Sequence, residues 1–266
     1  MLANLCRLLR DAWAVTRSAP LLWIAVLLSV LVPSFSGSIR HPLWDCFLAP
    51  VHFVATLIVL PAVPFLVDRA RAGVSPALFE VKRVVISALP RLLGFYLIVV
   101  MIAIAPTVVL LYIFSGPDPV VPSVLTIIAA KYLIFPSLGA VAGFAIAGIS
   151  LHRLNGLQAF VDSVLIALNN LHIILVVALL LSLIASALTS GLVAAHSGPE
   201  AGLHQLTAPS MTLPVNATAM QRATWGLAYT LLTLPLSTYG SALWVLLYLS
   251  ATAKVAYPWI ARSRPA

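Results

Sequence analysis

Six apolar stretches of this chain run for twenty residues or more without an aspartate, glutamate, lysine or arginine: 18 to 39, 46 to 67, 92 to 117, 132 to 151, 163 to 195 and 223 to 253. A helix of roughly 20 apolar residues crosses a hydrocarbon core about 30 Å thick, and in lipid only helices and closed barrels satisfy every backbone N–H and C=O. The runs are continuous, unlike the alternating segments of about ten residues that make a barrel. They predict an all-α integral membrane protein with six transmembrane helices in a single membrane domain, 1–266. The last two runs are longer than one crossing requires, so each includes an interfacial piece, and Pro235 is a natural break in the final one. Only 8% of the residues are charged, against about 25% in soluble domains, which excludes an ordinary soluble fold.

A net charge of +8 raises the question of nucleic acid, and the placement of the charge answers it. Twelve of the fifteen basic residues fall on one side of the predicted spans. They precede the first (Arg7, Arg10, Arg17), lie between the second and third (Arg69 to Arg91), or follow the fourth (Arg153) and sixth (Lys254, Arg262, Arg264). Arg40 and Arg222 fall in opposite loops. By the positive-inside rule both termini are cytoplasmic, the expected partners are membrane lipids and a membrane protein, and no nucleic acid is expected. Arginine outnumbers lysine twelve to three, which points to a bacterial source and hence the bacterial inner membrane. Cys6 and Cys46 fall at opposite faces in this topology and read as small apolar residues.

The elements repeat in order. Before the first span, Leu5, Leu8, Leu9, Ala12 and Trp13 share one helical face and Arg7, Arg10, Asp11 and Arg17 the other, the pattern of an amphipathic helix at the cytoplasmic leaflet. Before the third span, Leu78, Val81, Val85, Leu89 and Leu92 make one stripe and Glu80, Arg83, Ser87 and Arg91 the opposite one. Ser75 is the expected N-cap of that helix and Pro76 suits its first turn. The stretch "AFVDSVLIALNNLHIIL" fits as a third copy: Leu157, Val161, Val164, Leu165 and Leu168 on one face, Gln158, Asp162 and Asn169 on the other, after a turn at Asn155 and Gly156. In this reading Asp162 is wet. The second, fourth and sixth spans each carry an outer proline (Pro50, Pro136, Pro235) and a later basic residue (Arg69, Arg153, Lys254). The chain thus divides into three tandem units, about 1–74, 75–154 and 155–260. Each has an amphipathic interfacial helix, an outward span and a returning span, with an outer loop at 196–221.

The order "SPALFEVKRVVISALPRLLGFYLIVV", then "AVAGFAIAGISLHRLNGLQAFVDSVLIALNN", then a final run ending "ALWVLLYLSATAK" resembles a broad group of bacterial six-span inner-membrane families. The group includes the membrane domain attached to some glycerophosphodiester phosphodiesterases. The likeness covers about residues 76 to 254 and is one of pattern. It implies an all-helical membrane fold with no agreed activity. Catalysis in those phosphodiesterases belongs to a separate soluble domain, so the resemblance carries no catalytic residue to this chain.

Several polar residues invite a site. A lysine at the bilayer centre costs about 2.5 to 3.5 kcal/mol, but the run after Lys131 is long enough to cross alone. That places Lys131 at the outer interface as a snorkelling cation, with a lipid-phosphate or cavity contact as the alternative. His52 reads as a packing histidine or proton carrier in the second span, and His172 as a headgroup contact at the start of the fifth. Gly139 and Gly143 form a G-x-x-x-G pair that Ala140, Ala147 and Gly148 extend, a smooth surface for helix packing. His196, Glu200 and His204 have helical spacing, but Ser197, Gly198 and Pro199 break the helix between them, so no metal site is expected. "NAT" at Asn216 matches a glycosylation sequon, usually silent in bacteria. No nucleophile with its base, paired carboxylates or nucleotide-binding glycine loop is present. The expectation is a non-enzymatic protein without cofactors that organises lipid or a partner protein at the cytoplasmic leaflet. The alternative is a small transporter for an apolar or lipid-like solute.

Overall fold

A computed structural model of the chain describes residues 2–36, 42–115, 124–207 and 219–254. Side chains are described for 5–30, 55–102, 128–206 and 224–253, with 104 and 126. The described residues are helical without a strand: α1 (Leu2–Ser18), α2 (Pro20–Ser36), α3 (Pro42–Arg71), α4 (Leu78–Ser115), α5 (Val124–Ala129), a π-helical turn Ala130–Ile134, α6 (Phe135–His152), α7 (Gly156–Asn169), α8 (Leu171–Ser197), α9 (Pro199–Thr207) and α10 (Ala219–Lys254). Four helical stretches are long and apolar enough to cross a membrane: Leu78–Ile102, Ala130–His152, Leu171–Ser197 and Thr224–Ala253. The pair Leu5–Ser18 and Pro20–Val30, bent by 92°, makes a fifth candidate. The chain is a multi-pass, all-helical membrane protein.

Local chemistry sets the breaks. Pro20 lacks an N–H and starts α2 at the position where a helix tolerates that loss. Trp23 Nε1 reaches back across the corner to donate to the Thr16 carbonyl at 2.8 Å. After α6, Arg153 takes a left-handed conformation (φ 55°), and Asn155 and Gln158 close a reciprocal capping box that starts α7. Asn170 then divides α7 from α8. Its side-chain amide donates to the Ile166 carbonyl at 2.8 Å, while its own carbonyl accepts from Ile173 and Ile174.

Two expectations about the interfacial segments change. The helix over 78 to 92 is not separate from its span, because α4 runs as one 38-residue helix. Pro90 removes one hydrogen bond from that helix without breaking it. Ser75 and Pro76 lie outside α4; the Ala77 carbonyl accepts its first backbone bonds, from Glu80 and Val81. The second change concerns Asp162, which is 1% exposed, as is Ser163. Gly156, Ala159, Asp162, Ser163, Ile166 and Ala167 form the buried stripe of α7, while Leu157, Val161, Leu165 and Leu168 face outward. In lipid the apolar face turns out and the small and polar face turns in, the reverse of a helix at a water interface.

The interior belongs to α3, α6 and α10, which touch one another pairwise. Half of the membrane-length window in α10 and 39% of that in α6 are buried, against 22% in α4 and in α8. In α3, residues 61 to 67 are all buried. Phe144 on α6 meets Trp244 and Tyr248 of α10 at ring separations of 6.3 and 6.2 Å. Around this trio α1 packs on α10, α4 on α3, and α7 on α6. Two backbones approach closely where α7 begins: a Cβ at Gly156 would lie 2.4 Å from the Phe95 nitrogen and 2.7 Å from the Gly94 carbonyl carbon.

Candidate functional site: an amphiphile-shaped crevice

Helix α4 enters the structure with its apolar stripe unfilled on one side. Leu78, Val81, Val85, Ile86 and Leu89 of α4 face Leu21, Ile24, Ala25 and Leu28 of α2 across a crevice of about 460 Å³. Ile58, Val59, Ala62 and Leu66 of α3 form its floor. Small-molecule sites fall in the range of about 300 to 1,000 Å³. Lys82 is the single side chain with a charge on this wall, and it is exposed. At 1.5 Å per residue the lined stretch of α4 is about 16 Å long and that of α2 roughly 10 Å. The crevice therefore reaches well short of the full thickness of a bilayer core, about 30 Å.

A second, smaller cavity of about 140 Å³ adjoins it, and Leu21 and Leu66 line both. This one has a different chemistry. It lies between the corner that joins α1 to α2 (Ser18, Ala19, Pro20) and the connection from α3 to α4 (Gly73, Val74, Ser75, Pro76). That connection is held by turn bonds, Ala72 N–H to the Asp68 carbonyl and Val74 N–H to the Arg69 carbonyl, with Gly73 at φ 71°. The left-handed conformation suits glycine, and it aims the chain back toward α4. Ser18 donates its hydroxyl proton to the Val15 carbonyl at 3.2 Å, which leaves its oxygen free to accept. Ser18 and Ser75 are its polar side chains. The Arg69 guanidinium rests over the Phe65 ring at 5.3 Å. Together the two cavities have the form of one amphiphile: an apolar slot with Lys82 on its wall, adjoining a more polar mouth that carries Ser18 and Ser75.

The residues singled out from sequence lie elsewhere and apart. Lys131 sits in the π-helical turn ahead of α6, and its ammonium donates to the carbonyls of Gln205 at 2.9 Å and Leu206 at 3.2 Å, at the C-terminal end of α9. It is a clasp on the outer helix and caps the negative end of its dipole. Neighbouring Tyr132 places its hydroxyl 3.0 Å from the Leu206 carbonyl oxygen and 2.7 Å from Ser186 Oγ. The π turn itself precedes Pro136, which has no N–H for the upstream carbonyls; the N–H of Phe135 reaches Ala130 in the wider register. His172 is exposed in the first turn of α8. His52 and Cys46 belong to α3 with side chains outside the described residues, and Asn216 is likewise outside them; Cys6 is a free, exposed thiol.

The small residues of α6 divide in an unexpected way. A Cβ added at Gly139 or Gly143 would meet nothing within 4 Å among the described residues, so no described helix packs on this pair. The helix-packing surface is Ala140, Ala147 and Gly148, with Ala140 and Ala147 fully buried and Gly148 against Leu154 and the Tyr248 hydroxyl. His196 stacks edge-on with Trp225 at 4.6 Å, whereas Glu200 and His204 are exposed on α9 beyond the Gly198 turn. Among the described residues no three His, Cys, Asp or Glu side chains are grouped as metal ligands.

The crevice was only half legible in the sequence. The α4 stripe was visible as an apolar face, but its facing walls come from residues some twenty to sixty positions away. Compared with known protein families, curated proteins and solved structures, the chain matches none.

Proposed function

We propose that this chain is a non-enzymatic inner-membrane protein of bacterial type that holds a membrane lipid in the crevice between α2, α3 and α4. The observation that carries the reading is the crevice itself: apolar along its length, with Lys82 as its one charged wall residue, and sharing Leu21 and Leu66 with a more polar mouth that carries Ser18 and Ser75. A lipid of the basic-side leaflet matches that order of chemistry, acyl chain along α4 and headgroup at the corner. The limited depth favours retention of a lipid in one leaflet over a path for a transported solute.

The architecture is consistent with three tandem units and six spans, both termini cytoplasmic. Each interfacial segment packs on the returning helix of the preceding unit, α4 on α3 and α7 on α6, and α1 on α10 closes the ring. The crevice lies where the first unit meets the second. In this arrangement the protein organises lipid at the cytoplasmic leaflet, and a bound lipid lies where two units meet.

A phospholipid with a photoactivatable diazirine at mid-chain tests the reading. In reconstituted vesicles its adducts are expected to concentrate on the peptides that contain Ile24, Ile58 and Ile86. Adducts spread evenly over the outward residues of α8, such as Leu179 and Leu183, would remove the crevice as a binding site.

A further inference from the structure

Resting on that reading, the two cavities also define the headgroup. We infer that the lipid is an anionic phospholipid whose headgroup carries hydroxyl donors, of the phosphatidylglycerol class. Lys82 is one turn into α4 from the connection that carries Ser75, and it lines the apolar slot on the side where the polar mouth begins. A phosphate at that level meets an exposed ammonium instead of apolar wall. Beyond it, the Ser18 oxygen has already committed its proton to Val15, so it recognises a donor. The glycerol hydroxyls of such a headgroup are donors; a choline headgroup has none.

Native mass spectrometry of the full chain taken from bilayers of equal phosphatidylglycerol and phosphatidylcholine, matched in chain length, reads the charge in this assignment. An equal mixture of phosphatidylglycerol with phosphatidylmethanol, which has the same charge and no headgroup hydroxyl, reads the hydroxyl donors: retention without preference in that mixture overturns the role of Ser18. The wild-type protein is expected to retain the anionic lipid about fivefold over the zwitterionic one, the preference that one lysine near a membrane surface supplies. In Lys82→Gln the ratio falls to about one while the total lipid retained stays the same. Arg83→Gln removes the same charge from the neighbouring position of α4, outside the crevice, and keeps the wild-type ratio. Lys82 and Arg83 are both exposed, so neither change disturbs packing. An unchanged ratio in Lys82→Gln overturns the headgroup assignment, as does an equal loss in Arg83→Gln, which is the mark of diffuse surface charge. If the wild-type protein retains neither lipid, the crevice reading itself fails.

Discussion

Gly156→Ala destabilises the protein by about 3 kcal/mol or more, at the upper end of what overpacking a filled site costs, while Gly139→Ala on α6 is neutral or stabilising by up to about 1 kcal/mol. The contrast follows from what each added methyl meets. At Gly156 it would stand 2.4 Å from the Phe95 nitrogen and 2.7 Å from the Gly94 carbonyl carbon. Both are backbone atoms, so relief requires moving α7 away from α4. At Gly139 nothing lies within 4 Å, and alanine only improves helix propensity. Helices in lipid are held by close packing more than by hydrophobic burial, so the loss at the α4–α7 contact has no cheap compensation. Thermal unfolding in detergent is the measurement. Wild-type stability in the Gly156 variant would contradict the α4–α7 contact. An equal loss in both would instead show a further helix on the Gly139 face.

Lys131→Met releases α9 from the bundle. The variant removes two charge-assisted hydrogen bonds, to the Gln205 and Leu206 carbonyls at 2.9 and 3.2 Å, each worth roughly 1.5 to 3 kcal/mol. Methionine keeps the apolar stem but leaves the end of α9 without its cation. Gln205 is 2% exposed, so this end of the helix cannot turn to water without leaving its place. Hydrogen exchange over residues 199 to 207 is expected to lose protection by an order of magnitude or more, with α4 and α7 unchanged. Lys131→Arg, which restores a cation, recovers most of it. Unaltered exchange in Lys131→Met rules out the clasp and returns the lysine to the snorkelling role that its position in the sequence favoured.

The sequence disclosed what is local. The turn at Asn155 and Gly156 and the apolar stripe of α4 both follow from short-range chemistry, and each reappears in the structure. Asp162 was misread because a helical wheel separates polar from apolar but does not say which side faces the protein. In water the apolar side turns inward; beside lipid, the stripe from Gly156 through Asp162 to Ala167 turns inward and the leucines turn out. Gly139 and Gly143 misled for a related reason, since a smooth face permits packing without supplying the partner. Lys131 finds its acceptors more than seventy residues away, and the crevice draws its walls from α2, α3 and α4. No spacing rule reaches contacts of that kind.

The central claim is that a lipid occupies the slot between α2, α3 and α4, and a structure determined in a bilayer that contains phosphatidylglycerol tests it most directly. The account predicts continuous density for an acyl chain along Val81, Val85 and Leu89, ending in a headgroup beside Lys82 and Ser18. A slot closed by direct contact of Ile24 with Ile86, with no lipid between them, would contradict it.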